Sequence, residues 1–417
     1  MAPAPLTVED EQYRWPMRAL DLVAGAASTV GLPIGHVDKA SILRRAERTT
    51  GLSDFGDPGF EEGFDQLVVA AGNAKLTNLA DIMLRQAFIR AAQNRLWMQS
   101  YLKKNPHIHD VEVKRPIFVL GFPRTGTTVL QNLLCLDDER RALKFWELIT
   151  PVPTDHPKER DEFIRIRAAK RMLSAAYMVA PEMAEVHYID AMTNEECWPL
   201  MSNAFTVLNY DLQSGLRGYG EWLMQRDMVA SYREYKTYLQ LLQSQRPAGQ
   251  LVLKCPEHLW FVDALLEVFP DACIVWTHRD PVPTIASYCS LISMQWRTLY
   301  GRFNPHELGD HITQRFHLGV QRAMKARESA DPKRFFDVNF HNLVSDYEGT
   351  VREISDYFDL PFGDEMPSRI AGYLGNERAD AKGKHKYSVD RYGIDIDAVH
   401  RRYAEYISSF AVSVKAA

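Results

Sequence analysis

The spacing of hydrophobic residues changes once along this chain. Between Leu43 and Leu102 they often recur three and four residues apart, most plainly in FDQLVVAAGNAKLTNLADIMLRQAFIRAAQNRLWMQSYL (64–102). That is the period of helices with one buried face. Asn105-Pro106 closes the last of them, because the residue before a proline is pushed out of helical geometry. No strand-like run precedes Pro116. The pattern predicts an all-helical N-terminal region over residues 1–112.

From Pro116 onward the apolar residues come in short unbroken runs: IFVLG (117–121), LVLKC (251–255), CIVWTH (273–278) and RFFDVNF (334–340). Each is followed by a stretch with helical spacing: TTVLQNLLCL, EHLWFVDALLEVF, PTIASYCSLISMQW and DYEGTVREISDYF. Strands that are apolar throughout and alternate with helices indicate a parallel sheet covered on both faces. The expectation for 113–417 is therefore an α/β domain with helices on both sides. The stretch between the first and second runs is far too long for a simple crossover, and a helical insertion is expected over about 155–248. The insertion is rich in Met and aromatic residues, among them Met172, Tyr177, Met178, Tyr188, Met192, Met201, Phe205 and Tyr219. Two readings stand side by side: these are the core of the insertion, or some of them line an apolar binding site.

Composition narrows the class. The 417 residues exceed what one core usually supports, so more than one unit is expected. Apolar residues at 46% and charged residues at 25% are ordinary for a globular protein. A formal net charge of −5 argues against a nucleic-acid partner, which demands a broad basic face, but leaves room for a small anion held by a few cations. Five scattered cysteines without a CxxC pair suit a reducing compartment. The opening MAPAPLTVEDEQYRW has acids where a secretory leader would be apolar, and no run of about 18 apolar residues suggests a transmembrane segment. A soluble, cytoplasmic protein is expected.

The candidate chemistry starts at the end of the first strand. Gly121-Phe122-Pro123-Arg124-Thr125-Gly126-Thr127-Thr128 joins strand to helix. Glycines permit the turn, the following amides meet at a helix N-terminus where an anion is favoured, and threonine hydroxyls add donors. The Gly-x4-Gly spacing matches the loop of nucleoside triphosphatases, but Thr127 stands where that motif needs lysine. The cation sits inside the loop as Arg124. That disfavours a P-loop kinase and suits a donor with a shorter 5′ anion.

PIFVLGFPRTGTT resembles the 5′-phosphosulfate loop of the sulfotransferases that use 3′-phosphoadenosine-5′-phosphosulfate (PAPS), in which a Lys or Arg stands at the position of Arg124. LVLKCPEHLWFVDALLEVFPDACIVWTHRDPVPTIASYCSL resembles the second half of the same signature: a strand ending in Lys254, the next ending at Arg279, then Ser287. Lys382-Gly383-Lys384-His385-Lys386 resembles the family's basic loop over the nucleotide. The resemblance covers roughly 115–395 and is greatest to a bacterial branch. It implies PAPS as co-substrate, transfer to an acceptor hydroxyl, and no required metal. Pro123, Arg124, Thr125, Gly126, Thr127 and Thr128 would hold the 5′ end. Arg279 and Ser287, with Lys382, Gly383 and Lys384, would hold the 3′-phosphate, a dianion well matched by a bidentate arginine and a hydroxyl.

Sulfuryl transfer asks for in-line placement and for cations where charge develops, a role expected for Arg124 and Lys254. An acceptor hydroxyl also needs a base. Glu147, His258, Glu257, His187 and Glu195 are candidates. Some family members place a histidine two residues after the strand-end lysine, but that position is Pro256 here. Others place a glutamate after the first helix, which favours Glu147 over His258. The plainer reading of Glu147 is a structural carboxylate capping the Leu-Ile-Thr turn that follows it. The insertion's composition points to a small hydrophobic or lipid-like alcohol or phenol as acceptor. A sulfotransferase-like binding protein without activity is the alternative from another class, yet no essential group is missing from the sequence. Oligomeric state is not encoded in any pattern found here.

Overall fold

The computed structural model describes residues 15–29, 35–179, 188–380 and 388–414. Four helices open the chain: α1 (Trp15–Thr29), α2 (Lys39–Thr50), α3 (Phe60–Asn73) and α4 (Asn78–Lys104). Side chains set their boundaries. Asp38 accepts from the Ser41 amide at the start of α2, and Thr77 from the Ala80 amide at the start of α4. Gly51 ends α2 at φ 71°, a left-handed turn free of Cβ strain for glycine. Asn105 caps α4, and Pro106 opens a single 3-10 turn.

Along α4, Leu84, Phe88, Ala92 and Leu96 form one buried stripe. Phe88 meets Phe64 of α3 edge-on at 5.5 Å, and Phe64 stacks at 4.2 Å on Phe205, far along the chain. Helices α2, α3 and α4 therefore share one hydrophobic core with the insertion and with one face of the sheet.

The α/β part begins with β1 (Ile117–Gly121), α5 (Thr127–Leu134) and β2 (Arg140–Arg141). α6 (Phe145–Ile149) follows, and within the insertion lie α7 (Lys158–Val179) and α8 (Val229–Gln245), joined through short helical turns. Then come β3 (Gln250–Lys254), α9 (Val262–Val268), β4 (Cys273–His278), α10 (Pro281–Tyr300), α11 (Pro305–Glu328), β5 (Phe335–Asn339), α12 (Tyr347–Tyr357) and α13 (Met366–Asp380). The strands form one parallel sheet in the order β2-β3-β1-β4-β5. Four of the five coincide with the apolar runs; β2, two arginines long, carries no apolar signal.

Alternate residues of each strand face opposite cores. Phe118, Leu120, Leu253, Ile274 and Trp276 join the large core, whereas Ile117, Val119, Val252, Val275 and Val338 pack with α5, α12 and α13 in a second one. Burial on both sides is why the strands read as unbroken apolar runs. Because β1 lies between β3 and β4, the chain leaves it first to one side and later to the other. The crevice at the carboxyl ends of such strands is where ligands of open α/β sheets bind. No helix among the described residues is long and apolar enough to cross a membrane.

Candidate functional site

The turn from β1 into α5 is bent at three residues: Gly121 at φ 137°, Arg124 at φ 70° and Gly126 at φ 88°. At Gly126 a Cβ would lie 2.8 Å from Leu343 Cδ2. Arg124 takes the left-handed conformation without glycine's freedom, at a cost of about 1 kcal/mol. Contacts at both of its ends hold it there: its carbonyl accepts from the Arg279 guanidinium, and its Nε donates to Ser287 Oγ at 3.2 Å. The loop arginine, the residue after β4 and a serine on α10 thus form one hydrogen-bonded chain. Ser287 is buried and Arg279 half-buried, its guanidinium carbon 4.0 Å from the centre of the Phe340 ring. Asp280, next in sequence to Arg279, caps α10 through the Val282 amide and takes a hydrogen bond from His400.

The threonines of the loop divide by role. The Thr125 hydroxyl is fully buried, 2.6 Å from the Phe122 carbonyl and 2.6 Å from Thr277 Oγ1 on β4. Its side chain anchors the loop to the neighbouring strand, which leaves the Thr125 backbone as the part that faces the loop's interior turn. The hydroxyls of Thr127 and Thr128 have no hydrogen-bond partner among the described residues, and Thr128 is exposed. They sit in the first turn of α5, whose amides no helical carbonyl reaches. Pro123 lies half-buried before Arg124. Lys382, Gly383 and Lys384, like His187, lie outside the described residues.

Lys254 ends β3 level with Val119 of β1, which places its side chain at the same edge of the sheet as the loop. It is 1% exposed, and its Nζ lies 3.0 Å from Glu196 Oε1, a carboxylate that remains 24% exposed. Burial alone would lower the lysine's pKa, but the charges of Glu196 and Glu195 hold it above the usual lysine value. The ammonium is kept charged in a dry place.

The sequence candidates for a base are placed differently. Glu147 is 1% exposed, accepts from the Lys144 amide at 2.8 Å and pairs with Arg141 at 3.0 Å, closing a capping box at the start of α6. Both of its oxygens are engaged, by Arg141 and by the Lys144 amide, and none by the Leu-Ile-Thr turn that follows. His258 is fully buried against Phe118 and Tyr235, its Nδ1 bonded to the Tyr232 hydroxyl, and burial pushes its pKa down to about 3. Glu257 is buried with one oxygen on the Leu208 amide, and burial raises its pKa to about 8. Glu195 is buried beside Glu196. Glu196 itself was missed. It lies in the insertion, without motif or periodicity, and only folding brings it to the lysine. A usable signal was the acidic pair Glu195-Glu196 just ahead of a helix start.

A cleft of about 520 Å³ opens elsewhere, between α4 and α8, and contains none of the loop or strand-end residues. Of the insertion's apolar residues, Met201, Phe205 and Tyr219 are core, whereas Met178, Tyr188 and Met192 are exposed.

A sequence model described as the sulfotransferase family matches residues 116–364, from the start of β1 past α12. The chain is a member of the sulfotransferase family. Among solved structures, sulfotransferase STF1 of Mycobacterium tuberculosis H37Rv is 31% identical with a TM-score of 0.79, over 89% of this chain and 100% of that one. Sulfotransferase STF9 of Mycobacterium avium is 29% identical with a TM-score of 0.80, over 91% and 98%. A curated relative, the omega-hydroxy-beta-dihydromenaquinone-9 sulfotransferase Stf3 of Mycobacterium bovis, is 23% identical over 67% of this chain and 71% of its own length. This sulfotransferase is therefore an enzyme of sulfuryl transfer, with its phosphate loop, strand-end lysine and Arg279–Ser287 pair all inside the matched region.

Proposed function

We propose that this sulfotransferase takes its sulfuryl group from PAPS and delivers it to the hydroxyl of a hydrophobic, lipid-like alcohol. The observation that carries the reading is that two cationic groups stand at the carboxyl ends of adjacent strands: Arg124 with Arg279 and Ser287 after β1 and β4, and Lys254 with Glu196 at the end of β3. The donor supplies a sulfuryl group on a phosphate leaving group, and these residues suit both ends of it. Thr127, Thr128 and the first-turn amides of α5 take the 5′-phosphate, while Arg279 and Ser287 take the 3′-phosphate. Arg124 and Lys254 hold positive charge where negative charge develops as the bond to the leaving oxygen breaks.

Glu196 acts as the base. Its carboxylate is partly open to solvent while one oxygen is steered by Lys254. The acceptor's proton passes to Glu196 as its oxygen bonds to sulfur, and the electron pair of the broken bond leaves on the phosphate. Glu147 and His258 lack a free, accessible oxygen or nitrogen for that task. The acceptor class is supported by the exposed Met178, Tyr188 and Met192 on the segment leading to Glu196, and by the hydroxylated menaquinone in the name of the Mycobacterium bovis relative.

The test is thermal stability with 3′-phosphoadenosine-5′-phosphate beside AMP, ADP and ATP with magnesium. A ligand at about 100 times its Kd adds roughly 2.7 kcal/mol to the native state. Stabilisation by the 3′-phosphorylated nucleotide alone is expected; stabilisation by ATP with magnesium alone would overturn the donor assignment.

A further inference from the structure

The outer face of α7 has a composition unlike the rest of the molecule. The helix packs against α6 through buried Ala169 and Leu173, and Arg165 is spent inside, paired with Asp161 and laid over Trp146. On the opposite side, at spacings of three and four, stand Arg160, Phe163, Arg167, Lys170, Arg171, Ser174 and Met178. Phe163 is 61% exposed and Met178 80%, and the four cations pair with no described acid. In a chain whose net charge is −5, this is a concentrated basic stripe framed by two uncovered apolar side chains.

Its C-terminal end continues onto more apolar surface. Tyr188 is 62% exposed and stacked on Tyr177 of α7, with Met192 exposed beyond it. That return segment is pinned to α6 by backbone bonds from Phe145 and Trp146 to Thr193 and Ala191, and then runs directly into Glu196. One surface thus leads from the basic stripe to the carboxylate beside Lys254.

We infer that α7 docks this sulfotransferase on an anionic lipid surface. Unpaired Arg and Lys side chains are drawn to anionic headgroups, and Phe163, Met178 and Tyr188 enter the interface as shallow anchors. Charge complementarity selects the lipid surface as occupant. A protein partner would ask for an apolar centre depleted of charge, whereas here Arg160, Arg167, Lys170 and Arg171 stand among the exposed apolar side chains. The benefit for catalysis, delivery of a membrane-dissolved alcohol along 188–196, rests on the hydrophobic-acceptor reading above; the docking itself does not.

Flotation of the full chain with phosphatidylcholine vesicles, with or without about 30 mol% phosphatidylglycerol, tests it. Binding is expected on the anionic vesicles only, and raised salt should reverse it. Joint Arg167→Glu, Lys170→Glu and Arg171→Glu substitution should lower partitioning at least about tenfold, and Phe163→Ser with Met178→Ser severalfold. Both variants should keep the wild-type melting temperature and the stabilisation by 3′-phosphoadenosine-5′-phosphate. Equal binding to neutral and anionic vesicles, absence of binding, or undiminished binding of the charge-reversed variant would each overturn the inference. The acceptor reading fails separately, if wild type turns over no hydrophobic alcohol presented in neutral detergent micelles.

Discussion

Replacing Glu196 and Glu147 in turn separates chemistry from architecture. Glu196→Gln keeps an oxygen 3.0 Å from the Lys254 ammonium but cannot take a proton. Loss of a general base lowers turnover by about 10²–10⁴-fold, with KM for both substrates nearly unchanged. The amide oxygen is retained and Glu195 remains nearby, but the buried Lys254 ammonium loses its main counter-charge, so a loss of about 2–3 kcal/mol is expected. Glu147→Ala is the opposite case. It strips the capping box from α6 and leaves Arg141, largely buried, without its carboxylate. Breaking a buried pair on one side costs about 3 kcal/mol or more, a drop of a few degrees in melting temperature, while kcat of the folded fraction stays within a few-fold of wild type. The assay is steady-state turnover with the donor, read beside denaturant unfolding of the same preparations. Near-normal turnover in Glu196→Gln, or a silenced but fully stable Glu147→Ala, would refute the assignment of base and cap.

Further outcomes follow from the same geometry. Arg124→Ala should lower kcat by about 10²–10³-fold, with folding monitored by circular dichroism; normal turnover would remove the loop arginine from the mechanism. Thr125→Val deletes two buried hydrogen bonds and should cost about 1–3 kcal/mol in urea unfolding, loosening nucleotide binding as a consequence. Gly126→Ala forces a Cβ against Leu343 at positive φ and should abolish the stabilisation by 3′-phosphoadenosine-5′-phosphate. The neighbours Glu257 and His258 shape stability against pH. The folded state keeps Glu257 protonated up to about 8 and His258 neutral down to about 3, against ordinary values of 4.5 and 6.5. Between 4.5 and 6.5 the folded and unfolded chains hold equal numbers of these protons, so the pair contributes a plateau. Stability then falls as pH drops from 4.5 to 3 through His258, and as pH rises from 6.5 to 8 through Glu257. Each limb has a slope of about 1.4 kcal/mol per pH unit. Glu257→Gln should flatten the alkaline limb and turn the plateau between 4.5 and 6.5 into a continuation of the acid limb in pH-dependent unfolding.

The sheet was legible because its strands are buried on both faces: Ile117 to Gly121 and Cys273 to His278 could satisfy their apolar side chains nowhere else. The phosphate loop was legible because its chemistry is local. Glycines, a cation and hydroxyls within eight residues must meet at the strand end whatever the rest of the chain does. The strand-end positions of Lys254 and Arg279 followed from the same runs. By contrast, Arg140 and Arg141 form a strand only because β3 lies alongside, and nothing in their own side chains announces it.

By itself, then, the sequence determined the layers, the loop and the class of anion they address, since these depend on short-range periodicity and on residues a few positions apart. The tertiary structure alone decided which carboxylate stands beside the strand-end lysine. Glu147 and Glu196 are both glutamates between β2 and β3; one folds inward onto Arg141 and the Lys144 amide, and the other arrives beside Lys254. The physical reason is that a base is made by its surroundings. Exposure, a neighbouring charge and an unspent oxygen are properties of contacts between residues distant in sequence, and no local pattern records them.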